Sequence, residues 1–286
     1  MALIKKIKLG EKNYPELLSQ IYDPPQELYV WGELKKREKL PLAIVGTRKV
    51  SSYGAKLAKE FSFYLAQTGF TIISGLALGV DGLAHKGALE AKGKTIAVLG
   101  SGLNYIYPAS HKKLAEEIVK KGGAVISEYP PDTGPRKEFF PMRNRIVAGL
   151  SLGTLVIEAP KISGALITAR LALEENREVM AVPSDIWRKS AEGSNDLLKK
   201  GAKVITSPQD VLEIFNLELK INPEEKEQKL ETKEEKLIFE AIKNEPMDID
   251  KIAEKTGLPI PTINATLTQL EAKNIVKKIS PRIYGT

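Results

Sequence analysis

The sequence contains no cysteine and only two histidines, His85 and His111. Without cysteine the chain cannot form disulfides, zinc sites built on thiolates or a catalytic thiol. Asp81 lies four residues before His85, a spacing that could place two metal ligands on one face of a helix, but no third ligand has a suitable spacing. We therefore interpret this pair as structural, and we expect the protein to need neither a metal ion nor another cofactor.

Long hydrophobic runs are also absent from the sequence. No stretch approaches the ~20 apolar residues that a membrane-spanning helix requires, and no signal-like segment opens the chain. These absences predict a cytoplasmic protein without a membrane partner. The length of 286 residues is sufficient for one large domain and a second, small one.

The excess of positive charge is concentrated in the middle of the chain. Residues 1–38 hold 7 basic and 6 acidic side chains, residues 39–216 hold 24 and 17, and residues 217–286 hold 12 and 13. The net charge of +7 therefore comes from the middle segment. A polyanionic partner is expected to bind there and not at the carboxyl-terminal tail.

Short runs rich in valine and isoleucine alternate with amphipathic helical patterns through residues 39–216. Leu42–Val45 is the first clear strand and Ser52–Gln67 the first clear helix, and the alternation continues as far as Phe215. This pattern predicts an α/β fold with a doubly wound parallel sheet. Residues 1–38 contain aromatic residues and prolines but too few periodic apolar residues for a core of their own. We therefore expect them to pack against the sheet domain.

The tail differs in composition from the rest of the chain. Residues 217–233 are highly charged, as is typical of a linker. Residues 234–286 begin with one helical pattern, followed by two further helices that a glycine turn connects. The last segment could form a two-stranded wing, so the tail is predicted to be a small winged-helix domain. The candidate recognition helix, Thr262–Lys273, carries only two charged side chains. We therefore favour a structural or protein-contact role over duplex DNA binding.

The segment from Phe139 to Arg170 combines an arginine pair, a buried strand and a helix that begins at a glycine. The strand, Thr154–Ala159, leads through a short polar loop to a helix that opens at Ser163 and Gly164. In open α/β sheets, ligands bind outside the carboxyl ends of the strands, where helix amino termini offer free N–H groups to anions. This loop is therefore a candidate phosphate site. Neighbouring basic side chains supply positive charge: Arg143, Arg145, Lys161 and Arg170.

Arg143 and Arg145 stand near the start of a helix predicted at Pro141–Leu150. Two residues two apart cannot share a helix face, so at least one of the arginines could be structural and pair with Glu128 or Glu158. The planar guanidinium group suits phosphate, and both arginines therefore remain binding candidates.

Two adjacent phenylalanines precede this helix. Phe139 and Phe140 could stack on bases, or either could belong to the core, and we favour the core for Phe140. Tyr105 and Tyr107 carry the same ambiguity.

Three glycine-rich loops follow predicted strands, at residues 46–48, 74–82 and 100–102. None has the G-x-G-x-x-G or Walker A pattern, so the sequence does not indicate a dinucleotide or ATP site. Glycine can simply permit the tight turn between a strand and a helix. Arg48 differs, because an arginine at the carboxyl end of the first strand projects into the crevice of the sheet. We therefore predict that Arg48 contacts the ligand.

Six motifs occur in a fixed order along the chain. They read GTR at 46–48, SGLALGVDGLAH at 74–85, YP at 107–108, SEYP at 127–130, FPMRNRI at 140–146 and EAPKISGALITA at 158–169. From about Tyr14 to Phe215 the sequence closely resembles the DNA-processing protein A family (DprA, also called Smf), and the tail resembles the winged-helix domain of the same family. The resemblance implies an extended Rossmann fold that binds single-stranded DNA, forms a homodimer and loads the RecA recombinase during natural transformation.

The sequence departs from the family pattern after the predicted strand at Glu178–Val182. Family members generally have a glycine after the Val-Pro pair, whereas here Pro183 is followed by Ser184. Whether a turn with positive φ persists at this serine is open.

We therefore predict a non-enzymatic recombination mediator whose site holds single-stranded DNA by phosphate contacts and base stacking. The predicted DNA-binding residues are Arg48, Arg143, Arg145 and Lys161 for phosphates, the N–H groups of Ser74, Gly75, Ser163 and Gly164, and Phe139 for stacking. The alternative is a nucleotide phosphoribohydrolase, an enzyme on a similar Rossmann framework. Such enzymes carry a Pro-Gly-Gly-x-Gly-Thr loop followed by a glutamate, whereas residues 160–165 here read PKISGA.

Overall fold

The computed structural model describes residues 3–217, 230, 232–243, 245–272, 275–280 and 282–285. It forms two compact units, residues 1–219 and residues 220–286. Most of the linker predicted at 217–233 lies outside the described residues. Over the described ranges, no helix is both long enough and apolar enough to span a membrane.

The large unit contains nine described strands and eight described α-helices. The strands are β1 (Ile4–Lys8), β2 (Glu27–Gly32), β3 (Pro41–Val45), β4 (Thr71–Ser74), β5 (Thr95–Val98), β6 (Ala124–Ser127), β7 (Gly153–Val156), β8 (Glu178–Ala181) and β9 (Lys203–Val204). The helices are α1 (Glu16–Ser19), α2 (Ser52–Gln67), α3 (Val80–Glu90), α4 (Lys112–Lys120), α5 (Phe139–Gly149), α6 (Gly164–Glu174), α7 (Glu192–Lys199) and α8 (Pro208–Ile214).

The nine strands form one sheet in the order β1-β2-β6-β5-β4-β3-β7-β8-β9. Every neighbouring pair from β6 to β9 is parallel, which confirms the predicted doubly wound α/β fold. We expected the segment before residue 39 only to pack against the sheet domain, but it contributes two strands to the sheet. β2 pairs antiparallel with β6, and β1 pairs antiparallel with β2. The sheet is therefore extended at one edge by two strands that the sequence did not predict.

Local sequence explains where the main helices begin. Ser51 lies in an extended conformation before α2, and its side chain accepts the N–H of Gly54. Ser207 and Asp210 form a capping box at the start of α8, with Pro208 in the first helical position. Both arrangements satisfy backbone N–H groups that lack an intrahelical partner.

Helices cover both faces of the sheet. One face packs against α2, α3, α4 and α8, and the other packs against α1, α5, α6 and α7. The chain leaves β3 for α2 on the first face and leaves β7 for α6 on the second, although β3 and β7 are neighbours in the sheet. Ligands of open α/β sheets bind where such a reversal opens a crevice at the carboxyl ends of the strands. The fold thus places the crevice beside Arg48 and the amino terminus of α6.

The small unit has the predicted winged-helix order. Its elements are α9 (Lys233–Ile242), β10 (Met247–Asp248), α10 (Ile249–Thr256), α11 (Ile260–Ala272), β11 (Lys277–Ser280) and β12 (Ile283–Gly285). Gly257 ends α10 with φ near 70°, a left-handed conformation that favours glycine. The helices enclose their own core, which includes Ile238, Phe239 and Leu267. Lys273, which we predicted at the end of the recognition helix, lies outside the described residues.

Candidate functional site

A crevice of about 590 Å³ opens at the carboxyl ends of β3 and β7. The loops after β3, β4, β5 and β7 line it, together with residues of α3, α5 and α6 and of the loop that leads into α5. Five of the predicted site residues meet there, namely Arg48, Gly75, Arg143, Ser163 and Gly164. Four others do not line the crevice: Ser74, Phe139, Arg145 and Lys161.

Arg48 is an exposed cation that lines the crevice. Its guanidinium group lies over the ring of Phe140, with 5.3 Å between Cζ and the ring centroid. The Phe140 ring in turn contacts Tyr107, with 5.4 Å between ring centroids. Within the described residues Arg48 forms no ion pair. A charged group that faces solvent and rests on an aromatic ring is free to bind an anion.

Arg143 lies under the crevice and is only 4% exposed. Its guanidinium group donates to the backbone oxygens of Gly75 and Val98, at the ends of β4 and β5. Burial lowers the pKa of Arg143 to about 10, although the Asp81 carboxyl opposes this shift. The side chain is therefore still charged at neutral pH. Nη1 makes both of these backbone contacts, and Nε donates to Asn144 Oδ1 at 3.3 Å. Arg143 therefore supports the floor of the crevice, whereas we predicted it as a phosphate ligand.

The polar groups of the loop after β4 also form hydrogen bonds within the protein. The Gly75 N–H donates to Asp81 Oδ2 at 3.1 Å, and the buried Ser74 hydroxyl donates to the Ile44 carbonyl oxygen at 2.7 Å. A Cβ atom at position 75 would lie 2.5 Å from the Arg143 guanidinium group, so any larger residue there would displace this group. The predicted role of the Gly75 N–H as a donor to phosphate is not supported, because Asp81 already accepts it, and Ser74 does not line the crevice.

Arg145 points away from the crevice. Its Nη2 lies 2.7 Å from Glu128 Oε2, and its Nε lies 2.9 Å from Asp23 Oδ2. These ion pairs connect α5 to Glu128, which follows β6, and to Asp23, which lies between α1 and β2. The structure thus fulfils the expectation that one of the two arginines pairs with Glu128, and it does not bring Arg145 to the predicted phosphate site.

The amino terminus of α6 faces the crevice. Ser163 caps the helix, and its hydroxyl oxygen accepts the Ala165 N–H at 3.3 Å. The exposed Gly164 follows as the first helical residue, where the N–H has no partner within the helix. The helix dipole adds partial positive charge at this end. Lys161 lies on the outer side of the same loop and lines a neighbouring groove.

The structure places the two phenylalanines differently from the roles that we favoured, which were the core for Phe140 and stacking on bases for Phe139. Because α5 begins at Phe139 and not at Pro141, both rings belong to the first turn and point in different directions. Phe140 lines the crevice, whereas Phe139 stacks on Tyr129 with ring centroids 3.9 Å apart. Phe140 and the neighbouring Tyr107 are therefore the aromatic side chains that line the crevice.

Lys137 is a crevice residue that the sequence did not reveal. It is exposed and lies two residues before α5, in a loop without a periodic pattern. Its only signal was a lysine two residues before the FFPMRNRI run. With Arg48 and the start of α6, it makes the rim of the crevice positive.

Asp81 and His85 lie at the start of α3 in structural positions. Burial raises the pKa of Asp81 and lowers the pKa of His85 to about 3. His85 Nδ1 lies 2.7 Å from the Thr95 hydroxyl oxygen, and that hydroxyl donates to the Ile72 carbonyl oxygen. His85 must therefore donate from Nδ1, and it is neutral at physiological pH. Among the described residues no group of three or more potential ligand side chains could hold a metal ion.

Two family models and several known proteins match this chain. Protein Smf from Escherichia coli strain K12 is 42% identical over 265 residues, which cover 90% of this chain and 71% of the relative. DNA processing protein DprA from Bacillus subtilis strain 168 is 42% identical over 211 residues, which cover 73% of this chain and 71% of the relative.

Solved structures show the same fold. The X-ray structure of DNA processing protein A from Streptococcus pneumoniae matches with a TM-score of 0.68 and 42% identity, covering 73% of this chain and 74% of that chain. DNA processing protein A from Helicobacter pylori, whose structure concerns a single-stranded DNA binding mode, matches with a TM-score of 0.67 and 32% identity, covering 76% and 98%.

The family models divide the chain as the structure does. Residues 222–277 match the DprA winged helix domain. Residues 5–216, which include the sheet and every segment of the crevice, match the model described as DNA recombination-mediator protein A. The predicted resemblance is thereby confirmed, and the chain belongs to the DNA recombination-mediator protein A family.

Proposed function

We propose that this protein is a recombination mediator that holds single-stranded DNA in the crevice and performs no covalent chemistry. The observation that carries the proposal is that Arg48, Phe140 and the amino terminus of α6 line one cavity. These groups supply what a single strand requires: cationic and N–H donors for phosphates, and an aromatic face for bases. The relative from Helicobacter pylori, studied for its single-stranded DNA binding mode, supports the same ligand class.

The arrangement favours binding without sequence preference. Phosphate groups would lie near Arg48, Lys137 and the Gly164 N–H, and a base would lie against Phe140. Every base has a π-face, so stacking of this kind tolerates any sequence. Arg143 would add positive potential from below without contacting the strand.

Among the described residues, the crevice does not present a free carboxyl group of the kind that the alternative enzyme, a nucleotide phosphoribohydrolase, would use. Asp81 is the acidic residue that lines the crevice, and its carboxyl is buried and accepts the Gly75 N–H. The nearby Glu158 is buried, and its Oε2 accepts the N–H and hydroxyl of Ser51. Asp81 Oδ2 and Glu158 Oε2 thus have structural partners, which supports a binding role, although the buried Glu158 Oε1 has no partner among the described residues. Release of free base from AMP by the purified protein would contradict this choice.

A salt titration of binding to a thymidine oligonucleotide tests the proposed function. We expect a linear log-log dependence with a slope near −0.7 per phosphate contacted, because each contact releases condensed counterions. The chain ending at Leu219 should retain the affinity and slope of the full chain, since the crevice lies wholly within the large unit. Loss of binding on removal of residues 220–286 would instead assign the DNA site to the winged-helix unit.

We also propose that the protein forms a homodimer through a groove of about 990 Å³ beside the crevice. The groove lies between α6, α7 and the edge of the sheet at β8 and β9. Its apolar residues include Leu166, Ile167, Leu173, Val179 and Leu197. A contiguous apolar groove at an open sheet edge is a favourable surface for a second copy. Pairing would join two crevices on one strand and raise the affinity through effective concentration.

Leu173→Asp tests this surface. Leu173 is 67% exposed, so the substitution should leave the fold intact while placing a charge in the groove. We expect a monomer by light scattering, and an affinity for long thymidine strands that is about 100-fold lower because avidity is lost. Leu3, which is 77% exposed and precedes β1 at the opposite edge, provides the matched control Leu3→Asp. If both variants have the same mass as the wild-type protein, the groove is not the dimer surface.

We further propose, from the family to which the chain belongs, that the bound strand is handed to the RecA recombinase in the cytoplasm during natural transformation. A crevice that holds phosphates at one side of the strand leaves the other side available for a filament-forming protein. The expected result is a shorter lag before RecA hydrolyses ATP on strands that carry this protein. An unchanged lag would remove the loading role while leaving strand binding in place.

A further inference from the structure

The segment after β8 exposes a large aromatic residue beside positive charge. Trp187 is 85% exposed, and its neighbour Ile186 is also exposed. Arg188 and Lys189 follow directly, and Asp185 is the one acidic residue between Ser184 and Ala191. Tryptophan is rarely so exposed in a folded protein unless it contacts a partner.

This exposure is maintained by the conformation of the loop. Ser184 exchanges two hydrogen bonds with the Asn195 side chain, each 3.1 Å long, and it has no positive φ. The turn at Ser184, where family members have glycine, is therefore held by the side-chain amide of Asn195 and does not need a positive φ. Asp185 Oδ1 accepts the Trp187 N–H at 2.9 Å, an arrangement typical of Asx turns. The loop is therefore anchored at its base and presents the Trp187 ring to solvent.

The loop is attached to the rim of the crevice. Arg188 Nη1 donates to the Ser51 hydroxyl oxygen at 3.0 Å, and its guanidinium group lies 5.6 Å from the centroid of the half-exposed Tyr53 ring. Ser51 follows Arg48 by three residues, so their Cα atoms are at most about 11 Å apart. Arg188 and Tyr53 therefore lie close to the Arg48 side of the crevice, and Trp187 precedes Arg188 directly in the chain.

We propose that Tyr53, Trp187 and Arg188 form a second nucleotide-binding platform, which receives the single strand where it leaves the crevice beside Arg48. This inference rests on the proposed function of the crevice. Aromatic rings interleaved with arginine provide stacking faces for bases and a donor for phosphate, which is the recognition chemistry of extended single-strand grooves. The charge of the surface is complementary to DNA, because two cations accompany a single carboxylate that is bonded to its own loop.

Binding of thymidine oligonucleotides of about 4 and about 16 nucleotides to the full chain tests the platform, since single-strand sites span lengths in this range. We expect Trp187→Ala to bind the longer strand about tenfold more weakly and the shorter strand with unchanged affinity, because only the longer strand extends beyond the crevice. Trp187→Phe should retain most of the affinity, since phenylalanine keeps a stacking face. Tyr22→Ala is the matched control, because Tyr22 is 96% exposed and its N–H binds Glu175, at the far end of α6 from the crevice.

The fluorescence of Trp187 gives an independent readout. The chain contains one other tryptophan, Trp31, and Trp187→Phe provides its signal as a baseline. We expect quenching of Trp187 by the longer strand only. Equal affinities of the wild-type protein and Trp187→Ala for both strands would overturn the platform and leave the crevice intact, and equal weakening for both strands would overturn it as well. Absence of wild-type binding to either strand would overturn the proposed function itself.

Discussion

Arg48→Ala is expected to weaken binding to single-stranded DNA by about 10- to 150-fold, whatever the sequence of the strand. The physical reason is the loss of a charge-assisted contact to phosphate, which contributes about 1.5–3 kcal/mol. Arg48 is exposed, and its described contact is the Phe140 ring, so the substitution should leave stability nearly unchanged. The measurement is a fluorescence anisotropy titration at several salt concentrations. The slope of the log-log plot should fall in magnitude by about 0.7, the contribution of one phosphate contact.

Two further variants separate the charge of Arg48 from its geometry. Arg48→Lys keeps the charge and should therefore preserve the salt slope, but it loses the planar fork and should bind more weakly than the wild-type protein. Lys120→Ala removes an exposed cation at the carboxyl end of α4, far from the crevice, and should bind normally. If Arg48→Ala and Lys120→Ala have the same affinity, Arg48 is not part of the DNA site.

Arg143→Met is expected to lower the free energy of unfolding by about 3–5 kcal/mol, the effect of removing one partner from a buried charged network. The substitution leaves the carbonyl oxygens of Gly75 and Val98 without their donor, and it leaves the buried Asp81 carboxyl without a compensating charge. Urea denaturation at neutral pH measures the loss. This result would distinguish a supporting role from a ligand role, because a pure phosphate ligand could be removed with little effect on stability.

The double variant Arg143→Met/Asp81→Asn is the informative control for this prediction. The asparagine oxygen can still accept the Gly75 N–H, while the uncompensated carboxyl is removed. We therefore expect the double variant to be more stable than Arg143→Met alone. Unchanged stability of the single variant would contradict the assignment of Arg143 as the support of the crevice floor.

The strands and helices of the sheet domain were predictable because each of them is encoded locally. The parallel strands are short β-branched runs that end at glycines or polar loops, and their order along the chain determines the doubly wound fold. The two edge strands were missed because β1 reads IKKIK and pairs only with β2, which in turn pairs with β6 almost a hundred residues later.

The candidate site was predictable to the extent that strand ends and helix starts position it. Arg48 and the Ser163-Gly164 turn follow buried strands directly, so the fold alone brings them together. The roles of Arg143 and Arg145 depend on partners from distant segments, such as Val98 and Glu128, and sequence spacing does not reveal these contacts. The choice between Phe139 and Phe140 depended on a two-residue difference in the start of α5.

The start of α6 borders two cavities, since Ser163 and Gly164 line both the crevice and the adjacent apolar groove. A displacement of this single turn would therefore change the shape of both surfaces together. If each surface has its own occupant, their binding free energies are coupled, and the coupling must be reciprocal. Strand occupancy would then shift the equilibrium between monomer and dimer by the same factor by which self-association shifts the affinity for the strand.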